Sequence, residues 1–402
     1  MKALQTKLQA LLTGLDPWLD AAFPIATALI CVKARLAAYS LLTAYLLLRL
    51  LQRSDRQSWR WILISLLVIN AGTIIHDRDL KPGSASDYLI IAMSFAAGFE
   101  RSRQQWQRSL AWITSCLLPL LGFSLLAGDN LIQETSSFTG FNINKLGFLA
   151  GLLTTVSYGW MRDSQQRTST WLARGGLALG IISCSLTQSR AAIAVPVIAI
   201  AVEIALSHAW TRRQLIAGVL LALALGAGAT YTWYLKPQAN YNLATDYRLG
   251  ELNRVETIRC WFSSTSSSET SLLLGMGFGR PAQNFCGPDA IPSLKAMDKG
   301  KGLQHAHNLY AQVFAETGAG GLILLVGLTL AALRKAWCVH SQDGQHSNLP
   351  VVIYLFLMAL GLTFWQVMMI NQVLVGYCLA ALTATDPDRD AAGEATPATQ
   401  QP

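Results

Sequence analysis

Apolar runs close to the length of a bilayer crossing recur from one end of the chain to the other. They fall at approximately 11–32, 36–52, 60–75, 86–99, 109–127, 146–161, 170–186, 191–208, 214–235, 318–333, 350–367 and 369–384. A helix needs about 20 apolar residues to cross a hydrocarbon core, and inside lipid the backbone must satisfy its own hydrogen bonds. The pattern therefore predicts an all-α polytopic membrane protein of about 12 transmembrane helices. Composition agrees: the 402 residues are 52% hydrophobic and only 13% charged, whereas a soluble domain carries about 25% charged residues. Nothing at the N-terminus predicts cleavage of a leader.

Lys and Arg in short loops stay cytoplasmic. Arg53, Arg56 and Arg60 share one loop, Arg101, Arg103 and Arg108 another, Arg162 and Arg167 a third, Arg212 and Arg213 a fourth, Arg334 and Lys335 a fifth. These are alternate loops, which puts both termini inside; Lys33 and Arg35 break the rule. The net charge of +8 is in this light a topology signal, and no nucleic-acid partner follows from it.

The boundaries then fall at 1–235 for about nine N-terminal transmembrane helices, 236–306 for one large periplasmic, partly helical loop, and 307–384 for about three more transmembrane helices. Residues 385–402 form a polar tail expected to be disordered on the cytoplasmic side. Five cysteines (Cys31, Cys116, Cys184, Cys338, Cys378) lie in or beside apolar runs, as buried thiols do. Cys260 and Cys286 both lie in the external loop, where an oxidising periplasm permits their disulfide.

Polar residues at the bilayer edge require a reason, because each unsatisfied group buried there costs several kcal/mol. In "SLTQSRAAIAV", Arg190 stands at an external helix end with no neighbouring acid. It either snorkels to lipid phosphate or serves as an anion hook, since a guanidinium grips phosphate in bidentate fashion. In the loop, Arg248, Arg254 and Arg259 alternate with Glu251 and Glu256, which mostly means a solvated helix. Arg254 stands out because Trp261, seven residues on, shares its helical face and suggests burial of that face. "GMGFGR" supplies Gly275, Gly277 and Gly279 for a tight turn or close backbone approach, followed by Arg280.

In "QHAHNLYAQVFAETGAGG" a helix beginning near Ala306 would hold His307 in its first turn. The dipole there favours a neutral ring able to accept a proton, and Tyr310 and Ala311 share its face while Glu316 lies opposite. Gly318, Gly320 and Gly321 would let this helix pack closely before it enters the bilayer. The competing view is an interfacial histidine with no chemistry. A metal is weighed too: His305 and His307 form one possible ligand pair, and His76, Asp77 and Asp79 offer another set, but a catalytic site needs about three protein ligands and neither set is complete. No metal or other cofactor is expected.

His307–Asn308, nine residues, then Gly318-x-x-Gly321 resembles the O-antigen ligase and O-antigen polymerase superfamily. The order of "SRA" at Ser189 to Ala191, the Arg254–Trp261 segment, the Gly-rich turn and the His helix fits as well, from about Asn144 onward. The resemblance implies a metal-independent membrane glycosyltransferase of lipopolysaccharide biosynthesis, in the inner membrane of a Gram-negative bacterium with its site facing the periplasm. It would move a glycan from undecaprenyl pyrophosphate to a sugar hydroxyl, in the ligase branch that of lipid A–core, with inversion. His307 would be the catalytic base and Arg190 and Arg254 the pyrophosphate ligands. Asn308, Tyr310, Arg248, Arg259, Arg280 and Lys145 could support them. One large late loop leans toward ligase over polymerase by analogy only. A transporter, the rival class, predicts mid-bilayer charges and matching broken helices in two halves; the conspicuous charges instead cluster at one face.

Overall fold

The computed structural model describes residues 103–126, 143–163, 167–187, 190–206, 255–277, 308–343 and 348–361, with isolated positions between 11 and 48 and at 216, 220, 286, 289–292, 306 and 378. Every regular element among them is helical: α1 (Arg103–Leu126), α2 (Ile143–Asp163), α3 (Arg167–Leu186), α4 (Arg190–Leu206), α5 (Glu269–Leu274), α6 (Leu309–Asp343) and α7 (Asn348–Gly361). Residues 255–265 form a further helical stretch. The expected runs at 60–75, 86–99 and 369–384 lie outside this set apart from Cys378, and those at 11–32, 36–52 and 214–235 enter it only as single positions. Among the described residues one stretch, Leu309–Cys338, is long and apolar enough to cross a membrane, against the about 12 expected, and Thr170–Leu186, Ala191–Leu206 and Leu349–Leu360 are shorter apolar helices.

α2 is the centre of the bundle, packing against α1, α3, α4 and α7. From Leu146 to Ser157 it is buried on every side, as expected for a helix apolar all round. Small residues let the neighbours approach. A Cβ at Gly180 would collide with Thr154 of α2, and one at Gly151 with the Tyr354 ring of α7, the close contact that drives helix association in lipid, where burying apolar surface gains nothing. The Tyr354 hydroxyl donates to the Phe148 carbonyl at 2.7 Å, and the two rings stack with centroids 5.8 Å apart. That bond fixes the height of α7 against α2. Pro119 in α1 and Pro196 in α4 lie inside their helices, where neighbouring helices can satisfy the carbonyls they free.

α6 is not one straight rod. Gly318 has φ 70° and ψ −167°, which breaks the helix into 309–317 and 319–343. Were it straight, Tyr310 and Thr329 would be about 28 Å apart at 1.5 Å per residue; instead the Tyr310 hydroxyl faces Thr329. Tyr310 also meets Phe356 of α7, centroids 6.2 Å apart, and Asn308 Nδ2 donates to the Leu360 carbonyl at 3.0 Å. The three contacts agree. The short segment folds back along the long one, so Gly318 is the point of reversal, where sequence alone suggested close packing on the way into the bilayer. The arm beyond it, 319–338, is about 30 Å long, a bilayer crossing by itself.

Gly318→Ala forces a side chain into a left-handed conformation and into the Leu273 carbonyl. The expected cost is about 1–3 kcal/mol from the conformation alone, read as a lowered thermal midpoint in detergent. Gly327→Ala, with open space around its Cβ, should be neutral or stabilising by up to about 1 kcal/mol.

Candidate active site

Asn308 caps the helix that carries the expected site. Its Oδ1 accepts from the Ala311 amide at 2.9 Å, satisfying one of the four amides a helix start leaves open. The helix thus begins at Leu309, three residues later than the sequence suggested, and His307 precedes the cap; beyond that position, His307 lies outside the described residues. The reason is chemical: Asn is a far better cap than Ala, and the residues after it carry the apolar face. Because the same Asn308 side chain donates to Leu360, the start of α6 is tied to the far end of α7.

The reversal at Gly318 is matched by glycines of the loop that follows α5. Gly275 and Gly277 take φ 76° and 88°, open to residues without Cβ. Gly275 closes α5 as its C-cap, and Ser268 opens it, accepting from the Ser271 amide at 3.1 Å. A Cβ on Gly275 would overlap the Glu316 carbonyl, and one on Gly318 the Leu273 carbonyl. The break leaves the carbonyls of 315 and 316 without helical donors, and the loop provides them: the Met276 amide donates to Ala315 at 2.8 Å and the Gly277 amide to Glu316 at 3.1 Å. "GMG" and Gly318 are therefore two halves of one backbone clasp. Gly279 and Arg280 lie outside the described residues.

Above the clasp, helix 255–265 packs on the short arm of α6. Trp261 is fully buried in a cluster with Cys286, Ile291, Ala306, Ala311 and Ala315, and Phe262 stacks on Phe314 with centroids 5.0 Å apart. Alanine at 311 and 315 makes the room for the indole. Cys260 and Cys286 are joined by a disulfide, Cα atoms 5.9 Å apart. Arg259 is on the exposed side of this helix. Arg248 and Arg254 lie outside the described residues.

Two side-chain sets escaped the sequence analysis. Gln312 and Glu316 are buried on the short arm, Gln312 Nε2 donating to Glu316 Oε1 at 3.2 Å. Glu203 of α4 is fully buried and accepts from the Tyr158 hydroxyl at 2.9 Å and from Arg162. A lone acid inside the 17 residues of α4 was the available signal for the second set. Lys145 and Arg190 are described by their backbones, near the start of α2 and at the start of α4. Lys145 lies three residues before Phe148 and Leu360 six residues beyond Tyr354; the alternation of crossings expected from the loop charges makes α7 antiparallel to α2, and on that topology Lys145 and the Asn308–Leu360 contact share one end of the bundle. Arg190, which starts a helix parallel to α2, belongs to that end too. Among the described residues no group of three His, Cys, Asp or Glu could hold a metal; His76, Asp77, Asp79, His305 and His307 are outside them.

Residues 175–326 match the family model described as O-antigen ligase. The match runs from within α3 through α4, the disulfide-bonded loop and the short arm of α6 to just before Gly327. No significant match to a curated protein was found.

Asn308→Ala should cost about 1 kcal/mol through the lost cap and also free the Leu360 carbonyl. Asn308→Asp keeps the cap oxygen and should recover the thermal midpoint while still releasing α7, seen as faster amide exchange near Leu360. For the disulfide, thiol labelling without reductant should leave Cys260 and Cys286 unmodified. Cys260→Ala should expose one additional thiol and destabilise the loop by about 3 kcal/mol on the chain-entropy account.

Proposed function

We propose, from the match of residues 175–326 to the O-antigen ligase family model, that the protein is a membrane glycosyltransferase of that family and transfers a glycan from undecaprenyl pyrophosphate to a sugar hydroxyl of lipid A–core. The observation that carries the proposal is convergence at one end of the bundle. Lys145 of α2 and the Arg190 start of α4 lie there, and with α7 antiparallel to α2 the Asn308 cap and the end of α7 join them, beside a loop whose disulfide suits an oxidising periplasm. Loop arginines tie the opposite helix ends to the cytoplasm, which supports an inner-membrane enzyme open to the periplasm.

In this mechanism His307 takes the proton of the acceptor hydroxyl as its oxygen attacks the anomeric carbon. The bond from that carbon to the pyrophosphate oxygen breaks, undecaprenyl pyrophosphate leaves with the electron pair, and one in-line displacement inverts the centre. Arg190 and Arg254 stabilise the charge that grows on the leaving oxygen, the contribution that commonly dominates such catalysis. Lys145 adds a further cation. Asn308 acts through the backbone: its cap and its tie to α7 hold the chain at His307. Tyr310, wedged between Thr329 and Phe356, braces the short arm, while Arg248, Arg259 and Arg280 supply positive potential in the loop. An O-antigen polymerase, which uses the same donor and a growing glycan as acceptor, is the alternative; the family match is common ground for both.

Purified protein given an undecaprenyl-pyrophosphate-linked glycan and lipid A–core, with EDTA present, should yield the shifted glycolipid on a gel. His307→Ala should abolish transfer, and Arg190→Ala or Arg254→Ala should lower it about 10²–10³-fold. Chain lengthening without lipid A–core would identify a polymerase, and activity only after a divalent ion is restored would shift the chemistry to Asp77 and Asp79.

A further inference from the structure

α4 reads RAAIAVPVIAIAVEIAL, charged at only two places, Arg190 at its start and Glu203 near its end. Between them every residue is Ala, Ile, Val or Pro. Such a surface offers a neighbouring helix no preferred rotation, and in lipid no hydrophobic gain fixes its height. A slip of one residue moves a helix by about 1.5 Å and turns it by about 100°, enough to carry an arginine at its end off target. Something else must set the register.

The short connections at 164–166 and 187–189 make α2, α3 and α4 run down, up and down, so α2 and α4 are parallel. They are joined by the Glu203 carboxylate, which accepts from Tyr158 and Arg162 of α2. Lys145 lies 13 residues before Tyr158, and Arg190 lies 13 residues before Glu203. At 1.5 Å per residue both are about 20 Å from the joint, on adjacent parallel helices. Their backbones therefore stand at the same height.

We propose that Glu203, gripped by Tyr158 and Arg162, is a register lock that sets the height and rotation of α4 and so aligns Arg190 with Lys145 to receive one donor pyrophosphate. Glu203 is a positioning residue, remote from the chemistry. A buried ion pair is a poor source of stability, since well-packed apolar residues often do as well or better, whereas fixing register is its best-attested use. The inference rests on Arg190 serving as the donor hook.

The test replaces the lock by apolar residues of similar bulk, Arg162→Met with Glu203→Leu, in full-length protein in nanodiscs. Register is read by cross-linking a cysteine at Gly147 of α2 to a cysteine placed in turn at 191, 192 and 193 of α4, with the five cysteines outside the disulfide replaced by serine. The parent should cross-link at one of the three positions. The double variant should keep a parent-like thermal midpoint, spread its cross-links over neighbouring positions, and raise the donor KM about tenfold with a smaller change in kcat. Glu203→Gln, whose amide oxygen can still accept from Arg162 while its NH2 donates to the Tyr158 hydroxyl, should keep the parent pattern and KM, separating hydrogen-bonded register from packing. An unchanged cross-link pattern in the double variant would overturn the lock. A spread pattern with unchanged donor KM would leave the lock standing and overturn the role given to Arg190.

Discussion

The contact between the Gly275 turn and the break at Gly318 is the constraint from which the rest of the described structure follows. It is a backbone-to-backbone approach that neither side could make with a Cβ, because each added carbon would overlap the other's carbonyl. Once made, it does two things together. It gives the 315 and 316 carbonyls the donors that the broken helix withdrew, and it lets α6 turn back on itself. Without that capping, two carbonyls would be left open at a buried reversal, a cost of about 1–3 kcal/mol each.

The reversal sets the packing of the short arm. The short arm brings Asn308 alongside Leu360 and Tyr310 alongside Phe356 and Thr329, whereas a straight α6 would carry the same residues about 15 Å or more beyond those partners. The loop is drawn along, since Trp261 fills the space over Ala311 and Ala315 and the disulfide limits how far that helix can part from residue 286. The bundle is thus tied together by chain segments as far apart as Phe148 and Tyr354, 206 residues along the sequence. Rigid support of this kind is what positions a reacting group to within fractions of an ångström.

At the opposite end of α2 and α4 the fixing element is electrostatic. Tyr158, Arg162 and Glu203 meet in a bundle whose core is mostly apolar, with Leu146, Phe148, Leu152 and Leu355 among its buried side chains. The two devices are complementary. The clasp holds the loop glycines against the short arm of α6, and the polar joint defines where α4 stands against α2.

Some of this was legible in the residues alone. The helical class, the apolar stretches of α3, α4 and α7 and the need for glycine in "GMG" follow from properties each segment carries locally: hydropathy, spacing and the absence of a Cβ. The pairing of Cys260 with Cys286 was readable because only these two cysteines share the loop. The sequence could also mark Arg190 and His307 as polar residues in want of a reason. It could not show that Gly318 reverses the helix, because a glycine after nine helical residues is equally compatible with a close-packed straight one, and the choice depends on amides arriving from residues 276 and 277. Nor could it start α6 at Leu309, where the competing caps differ by about 1 kcal/mol and the Leu360 carbonyl adds to the side of Asn308. The common height of Lys145 and Arg190 was hidden for the same reason. Register belongs to a pair of helices, and only the tertiary contact of Glu203 with Tyr158 and Arg162 defines it.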